Sequence, residues 1–417
     1  MRVLQFAPRV CWPLDTGAKL RNYHLARVLS RNAPLTLLAF TEAEEPALNI
    51  ENPYIQIVTV KRDPGYTPAK LLRGALGRTP ISLLNYTTEP MKSALAALLK
   101  EQEFDVVQME SIHLMGYLPI IRSAPKPPLV VCDWHNIESE LMQRYSERAP
   151  NFLRGTYARR TARQLHALEK QATHDFDHHV VVSDRDRDQL LKLNAATRVS
   201  VIENGVDSAH YSDAELDRAH QSWRADAIQQ KPDRQGDAPA PTRLIFVGSM
   251  DYHANIHAVV DFAKDVWPAI HRRFPQLTFT IVGRDPAEEV QQLKSIAGIE
   301  VTGTVEDVRP YYREALASLV PLKIGGGSRL KILESMAAGV PVVSTTLGAE
   351  GLEVEDGKDI IIADTGERFV ETIAKLVQAD ATRLKLAAAG RDLVARRYEW
   401  TIAGESLFRI YEKLVIV

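Results

Sequence analysis

Arg329 and Lys331 stand where a helix built for stability alone would carry acids. They follow three consecutive glycines, Gly325, Gly326 and Gly327, and a serine, Ser328, in the stretch GGGSRLKILESMAAGVPVV. Glycines leave backbone N–H groups unobstructed and permit positive φ. Ser328 is a good N-cap residue, and the apolar spacing beyond it predicts a helix of about three turns. Gly339 should stop that helix at the C′ position, and Pro341 should open the next strand. The partial positive charge of a helix N-terminus disfavours cations in the first turn. Two cations beside free N–H groups make sense if a multiply charged anion sits between them, and a diphosphate meets that requirement. Glu334, three residues after Lys331, shares its face and could accept hydrogen bonds from vicinal ribose hydroxyls. The plain alternative is a solvated basic turn with a Lys331–Glu334 surface pair, because a glycine-rich loop alone is a weak motif. The spacing of a Walker loop is absent.

Other residues could add chemistry. His135, in CDWHN, lies just past the apolar run 129–132, at a strand end that faces ligand in open α/β sheets. A satisfied loop histidine is the competing reading. Glu110 follows DVVQM and reads as an acceptor contact, a base or a surface carboxylate. Asp133 could orient His135 or cap the helix that begins at Glu138. His178 and His179 precede an apolar run and read as structural. His253 and His257 are four apart but lack a third ligand, so no metal site is expected. Cys11 and Cys132 are the only cysteines, and they read as small buried residues in a reducing compartment. Residues 61–80 hold five basic residues, one acid and the apolar Leu71, Leu72 and Leu76. Such a stretch suits either a peripheral contact with an anionic membrane or a solvated amphipathic helix, and ARRTARQ (158–164) adds charge to the same domain.

These residues need a scaffold, and the chain supplies one twice. Short apolar runs at 3–7, 35–40, 55–60, 105–109, 129–132, 179–182 and 199–202 alternate with helical patterns. The alternation restarts at 244–248, 277–282, 300–302, 318–322, 340–344 and 360–362. Strands apolar on both faces and separated by helices imply a parallel sheet with helices covering it. The expectation is α/β: two facing Rossmann-like domains with a deep cleft between them. Residues 1–207 would form the first domain and 208–242 a polar linker or surface excursion. Residues 243–398 would form the second domain, and 399–417 would be a helix crossing back to the first domain.

At 417 residues the chain exceeds one ordinary core. Its 51 Lys+Arg against 53 Asp+Glu leave no global field for nucleic acid. The N-terminus does not read as a signal peptide and no run suits a membrane span, so a cytoplasmic protein is expected, with the inner membrane face as a peripheral site.

Several segments together resemble the family 4 retaining glycosyltransferases, which have the GT-B fold. ILESMAAGVPVVST looks like that family's nucleotide-ribose helix, with Glu334 as its glutamate. VIENGVD (201–207) is similar to the strand before the domain linker, and LIFVGSMDYHANI (244–256) to the first C-terminal strand and loop, placing Gly248 and Ser249 at the donor. VTGTVEDVRPYY (301–312) looks like the base-reading loop, with Val305 at the contact. DTGAKLRNYHLARVL (15–29) resembles the first glycine loop, with Gly17 against the donor phosphates. The resemblance also places His135 beside the donor sugar.

It implies a hexosyltransferase-type enzyme that moves a sugar from a nucleoside-diphosphate sugar to a glycan or polyprenyl-linked acceptor, as in exopolysaccharide biosynthesis. The donor is a substrate, and neither a cofactor nor a metal is implied. Two departures stand out. Gly326 occupies the place of the family's first glutamate, and Ser249 and Asn255 occupy places that often hold Arg and Lys. Arg329 and Lys331 would then supply the missing charge, with the Gly325–Gly327 amides on the sugar. The competing functions are a GT-B sugar-nucleotide epimerase and a non-catalytic binding or scaffold protein.

Overall fold

The computed structural model describes residues 1–41, 50–62, 67–77, 79–147, 149, 151–211, 242–324 and 329–416. Its contacts divide the chain into two compact units. The first comprises Met1–Asn204 and Trp400–Val417; the second comprises Gly205–Gly325 and Arg329–Glu399.

The first unit is built on seven strands: β1 (Val3–Ala7), β2 (Leu35–Thr41), β3 (Gln56–Lys61), β4 (Val106–Met109), β5 (Leu129–Trp134), β6 (His178–Val181) and β7 (Val199–Val201). They pair in the order β3-β2-β1-β4-β5-β6-β7, each with its neighbour in parallel. β1 and β4 are buried along their whole length, as strands covered on both faces must be. The second unit has six: β8 (Arg243–Val247), β9 (Thr278–Val282), β10 (Ile299–Gly303), β11 (Ala315–Val320), β12 (Val342–Ser344) and β13 (Ile361–Ile362). Their order is β10-β9-β8-β11-β12-β13, again parallel. Every apolar run read from the sequence forms a strand, with only its ends displaced.

Each order reverses once, between β1 and β4 in the first sheet and between β8 and β11 in the second. At such switch points adjacent loops leave in opposite directions and open a crevice beyond the carboxyl ends of the strands. Gly283, just past β9, shows how tightly the second crevice is built. A Cβ on it would lie 1.7 Å from the Gly248 carbonyl oxygen, so only glycine fits.

The helix Trp400–Ile416 packs on the helix Gly17–Leu29 within the first unit. A Cβ on Gly404 would come within 2.4 Å of the Val28 side chain. The Trp400 ring stacks on His24 at 5.3 Å. Among the described residues, no helix is long and apolar enough to cross a membrane.

Candidate functional site

In the second unit the relevant groups lie beyond the carboxyl ends of β8, β9, β10 and β11. The helix Leu330–Ala337 begins there, and Gly339, at φ +71, ends it as expected. Gly325, Gly326, Gly327 and Ser328 lie outside the described residues. The helix has Arg329 at its cap position, with φ −63 and ψ 32, so the expected place of Arg329 inside the first turn is corrected. Its guanidinium is buried and turned to Glu350. Nε donates to the Glu350 carbonyl at 3.0 Å, and Nη2 lies 3.3 Å from the carboxylate. A buried cation needs such a partner.

Lys331 is placed differently. Its Nζ donates to Asn255 Oδ1 at 2.6 Å and sits 4.5 Å from the centre of the Phe246 ring. The expected surface alternative does not hold, because Lys331 and Glu334 are both largely covered. Burial, reinforced by the charge of Arg329 and opposed by Glu334, pulls the Lys331 ammonium down to about 7. Burial likewise raises the Glu334 carboxyl, against a hydrogen bond from the Tyr211 hydroxyl and the pull of Lys331.

Ser249 and Asn255 are neutral, and each meets a cation from another element. Asn255 meets Lys331. Ser249 Oγ accepts from Arg284 Nε at 3.0 Å and donates to Asp251 at 2.6 Å. Asn255 Nδ2 donates to the Ser249 carbonyl at 2.8 Å, which joins the two positions. Arg284 was not singled out from sequence; its place just past β9, beside the loop after β8, was the available signal. Gly248 closes against Asn255, where a Cβ would meet Nδ2 at 2.9 Å. Val305 is half-buried and follows β10 through Gly303, whose φ of +75 requires glycine.

In the first unit Glu110 is 1% exposed, which corrects the surface-carboxylate reading. Two glutamines hold it in the same manner. Gln5, in β1, accepts from the Tyr54 hydroxyl at 2.7 Å and donates to Glu110 Oε1. Gln108, in β4, accepts from the Tyr411 hydroxyl at 2.7 Å and donates to the same oxygen at 2.8 Å. Each tyrosine proton thus fixes which end of its glutamine amide faces the carboxylate. The other oxygen, Oε2, lies 3.4 Å from His135 Nε2. Burial raises the Glu110 carboxyl, opposed by the bond to His135.

Asp133 neither caps a helix nor serves His135. Arg21 grips it, with Nη2 at 2.9 Å and Nε at 3.1 Å, and Arg21 also donates to Ile202 O at 2.9 Å and Asn204 Oδ1 at 3.1 Å. Glu110, Asp133 and His135 each offer a ligand atom within 4.8 Å of one another. The guanidinium on Asp133 and the amides on Glu110 already occupy much of that donor set, and a cation beside Arg21 would be repelled. Gly17 opens the helix Gly17–Leu29 at the β1–β4 switch point, capped by Thr16 Oγ1, which accepts from Lys19 N at 3.4 Å.

The remaining candidates are structural. His179 Nδ1 accepts from Trp134 Nε1 at 2.9 Å, and His178 Nε2 lies 3.0 Å from Ser200 Oγ. Burial lowers these imidazoles to about 3 and about 4, so they are neutral at physiological pH. His253 and His257 find no third ligand among the described residues. Cys11 and Cys132 are buried and free, as expected.

Two parallel-sheet α/β units, each with ligand-suited groups at its switch point, define a protein of GT-B type. Residues 16–210 match the family model described as Glycosyltransferase Family 4, and residues 241–379 match Glycosyl transferases group 1. The chain belongs to the family 4 glycosyltransferases. A phosphatidyl-myo-inositol mannosyltransferase of Mycobacterium leprae is 29% identical over 197 residues, 45% of this chain and 50% of that one. A glycogen synthase of Mycobacterium tuberculosis is 23% identical over 60% of this chain and 57% of its own length. The chain thus spans about half the length of the curated relatives it matches. HepE from Anabaena, solved with UDP and glucose, superposes with a TM-score of 0.66 at 14% identity over 100% of both chains. Sucrose-phosphate synthase from Thermosynechococcus elongatus does so at 0.69 and 17% over 99% of both. At such identities the likeness is one of fold.

Proposed function

We propose that this glycosyltransferase moves a sugar, with retention of anomeric configuration, from a nucleoside-diphosphate sugar to a glycan or polyprenyl-linked acceptor, in exopolysaccharide-type assembly. The observation that carries the reading is the paired array after β8 and β9. Arg284 meets Ser249 and Lys331 meets Asn255, each at hydrogen-bond distance, beside a helix N-terminus. Positive groups gathered there suit a departing diphosphate.

The anomeric C–O bond to the diphosphate breaks through an oxocarbenium-like state. The acceptor oxygen attacks the face the diphosphate leaves, and its proton passes to the departing phosphate. The products are a nucleoside diphosphate and a new glycoside, so the chemistry balances without a metal or a separate cofactor. Glu334 receives the ribose hydroxyls, exchanging its bond with Tyr211. Val305 lies beside the base and Gly17 serves the donor phosphates. On the first unit, His135 is assigned to the sugar and Glu110 to the acceptor. HepE, a relative in fold, is described with UDP, which makes UDP-sugars the first donors to try.

The test is incubation with UDP-, GDP- and ADP-sugars, reading nucleotide release, followed by assignment of the product anomer. Failure to bind any nucleotide would sink the proposal, and an inverted product would remove the retaining part. Binding without transfer to any acceptor would favour a scaffold, the reading that Gly326 in place of the family glutamate keeps open.

A further inference from the structure

The first unit carries a surface that the reaction does not use. Among the described residues ten large hydrophobics are exposed, and six of them lie on two helices of this unit. Leu71, Leu72 and Leu76 are on the helix Pro68–Leu76, with Leu72 61% and Leu76 75% exposed. Phe152, Leu153 and Tyr157 are on the first turns of the helix Phe152–Asp175, the first two each 78% exposed. Scattered exposed apolar residues need no explanation, but six on two elements do.

The two helices are joined. Arg160 Nη2 donates to the Gly77 carbonyl at 2.9 Å, and Gln164 Nε2 donates to the Gly74 carbonyl at 2.9 Å. Leu153, Tyr157, Arg160 and Gln164 follow one stripe of the long helix, at spacings of four, three and four. The stripe that holds the short helix therefore continues into the exposed Tyr157 and Leu153. The buried face of the long helix, through Gly155, Ala158, Ala162 and Leu165, points the other way. On the short helix Gly74 faces inward, its Cβ position 3.0 Å from Ile81, which turns Leu72 and Leu76 outward.

The charge on these elements is of one sign. PAKLLRGAL (68–76) and FLRGTYARRTARQLHA (152–167) hold two and four Lys+Arg and no acid, in a chain whose net charge is −2. Exposed apolar residues among cations fit an anionic lipid surface, with aliphatic and aromatic side chains entering the headgroup layer and arginines pairing with phosphates. A soluble polyanion would reward the charge but not the leucines and phenylalanine. We propose that this two-helix face seats the protein on an anionic bilayer, in the plane of the interface. This extends the surface suspected at 61–80 to the long helix and stands apart from the identity of the donor.

Sedimentation of the full chain with phospholipid vesicles tests it. Binding is expected to vesicles containing phosphatidylglycerol, weak binding to phosphatidylcholine alone, and loss of binding in high salt. Leu72→Glu/Leu76→Glu and Arg159→Glu/Arg163→Glu should each weaken partition by at least about tenfold. Circular dichroism melts and nucleotide binding of both variants should stay as in the parent, which separates this surface from the donor site. Partition indifferent to phosphatidylglycerol, or unchanged in both variants, would overturn the proposal. So would a dimer in sedimentation velocity that the leucine variant dissociates, since a second copy would then cover the face.

Discussion

The ammonium of Lys331 donates to the amide oxygen of Asn255 at 2.6 Å, which ties the helix Leu330–Ala337 to the helix His253–Asp261. Asn255 in turn donates to the Ser249 carbonyl, so the contact holds the ammonium beside the loop that follows β8. Lys331→Met should therefore weaken a nucleoside diphosphate by about 10- to 100-fold, the scale of one charge-assisted hydrogen bond. The free nucleoside should change by less than about twofold, because ribose contact is assigned to Glu334. Titration calorimetry with both ligands checks this, and equal losses would remove the phosphate role.

The same lysine sets a pH dependence. With its free-protein value near 7, Lys331 is mostly neutral at alkaline pH, and a bound diphosphate would draw a proton onto it. Binding should thus take up close to one proton on the alkaline side, and affinity should fall by up to about tenfold per pH unit there. Calorimetry in buffers of different ionisation enthalpy reads the uptake directly. Lys331→Met should show none.

Glu110 should leave its mark on stability. Its carboxyl is raised above the usual range by burial, so the folded state holds its proton to higher pH than the unfolded chain does. That contribution is fully present below the unfolded value of about 4.3 and is lost as pH rises through the folded one. Glu110→Gln has no such term. Denaturant melts across a pH series should show the parent losing stability relative to the variant as pH rises from the acid side, and a constant difference would contradict it.

Arg21 and Asp133 are 1% exposed each and bound to one another, and Arg21 also holds Ile202 and Asn204 near the end of the first unit. Arg21→Ala strands a buried carboxylate, at a cost of about 3–5 kcal/mol. Arg21→Lys should recover only part of this, since an ammonium cannot present two donors to the carboxylate and others to Ile202 and Asn204 at once. Urea midpoints of the three proteins decide the order.

The strands were legible because parallel strands covered on both faces are mostly apolar, which leaves runs such as VLQFA and LVVC visible without neighbours. Gly339 was legible because a helix ending on positive φ selects glycine. Lys331 was found as a cation out of place for its helix. Arg284 was not, because an arginine after a strand is ordinary until its distance to Ser249 is known. The glutamine pair on Glu110 was hidden for a related reason. Gln5 and Gln108 lie in different strands, and only the pairing of β1 with β4 makes them neighbours.

The helix Trp400–Ile416 belongs to the unit that begins at Met1, and its Tyr411 fixes Gln108. A ribosome that has already released residues 1–204 has not yet made Trp400. The nascent first sheet must wait for about half the chain to be translated before the Gln108 side of the Glu110 cradle can close. Vectorial synthesis therefore cannot finish this protein one unit at a time, and the groups around Glu110 mature only once the second unit has been made.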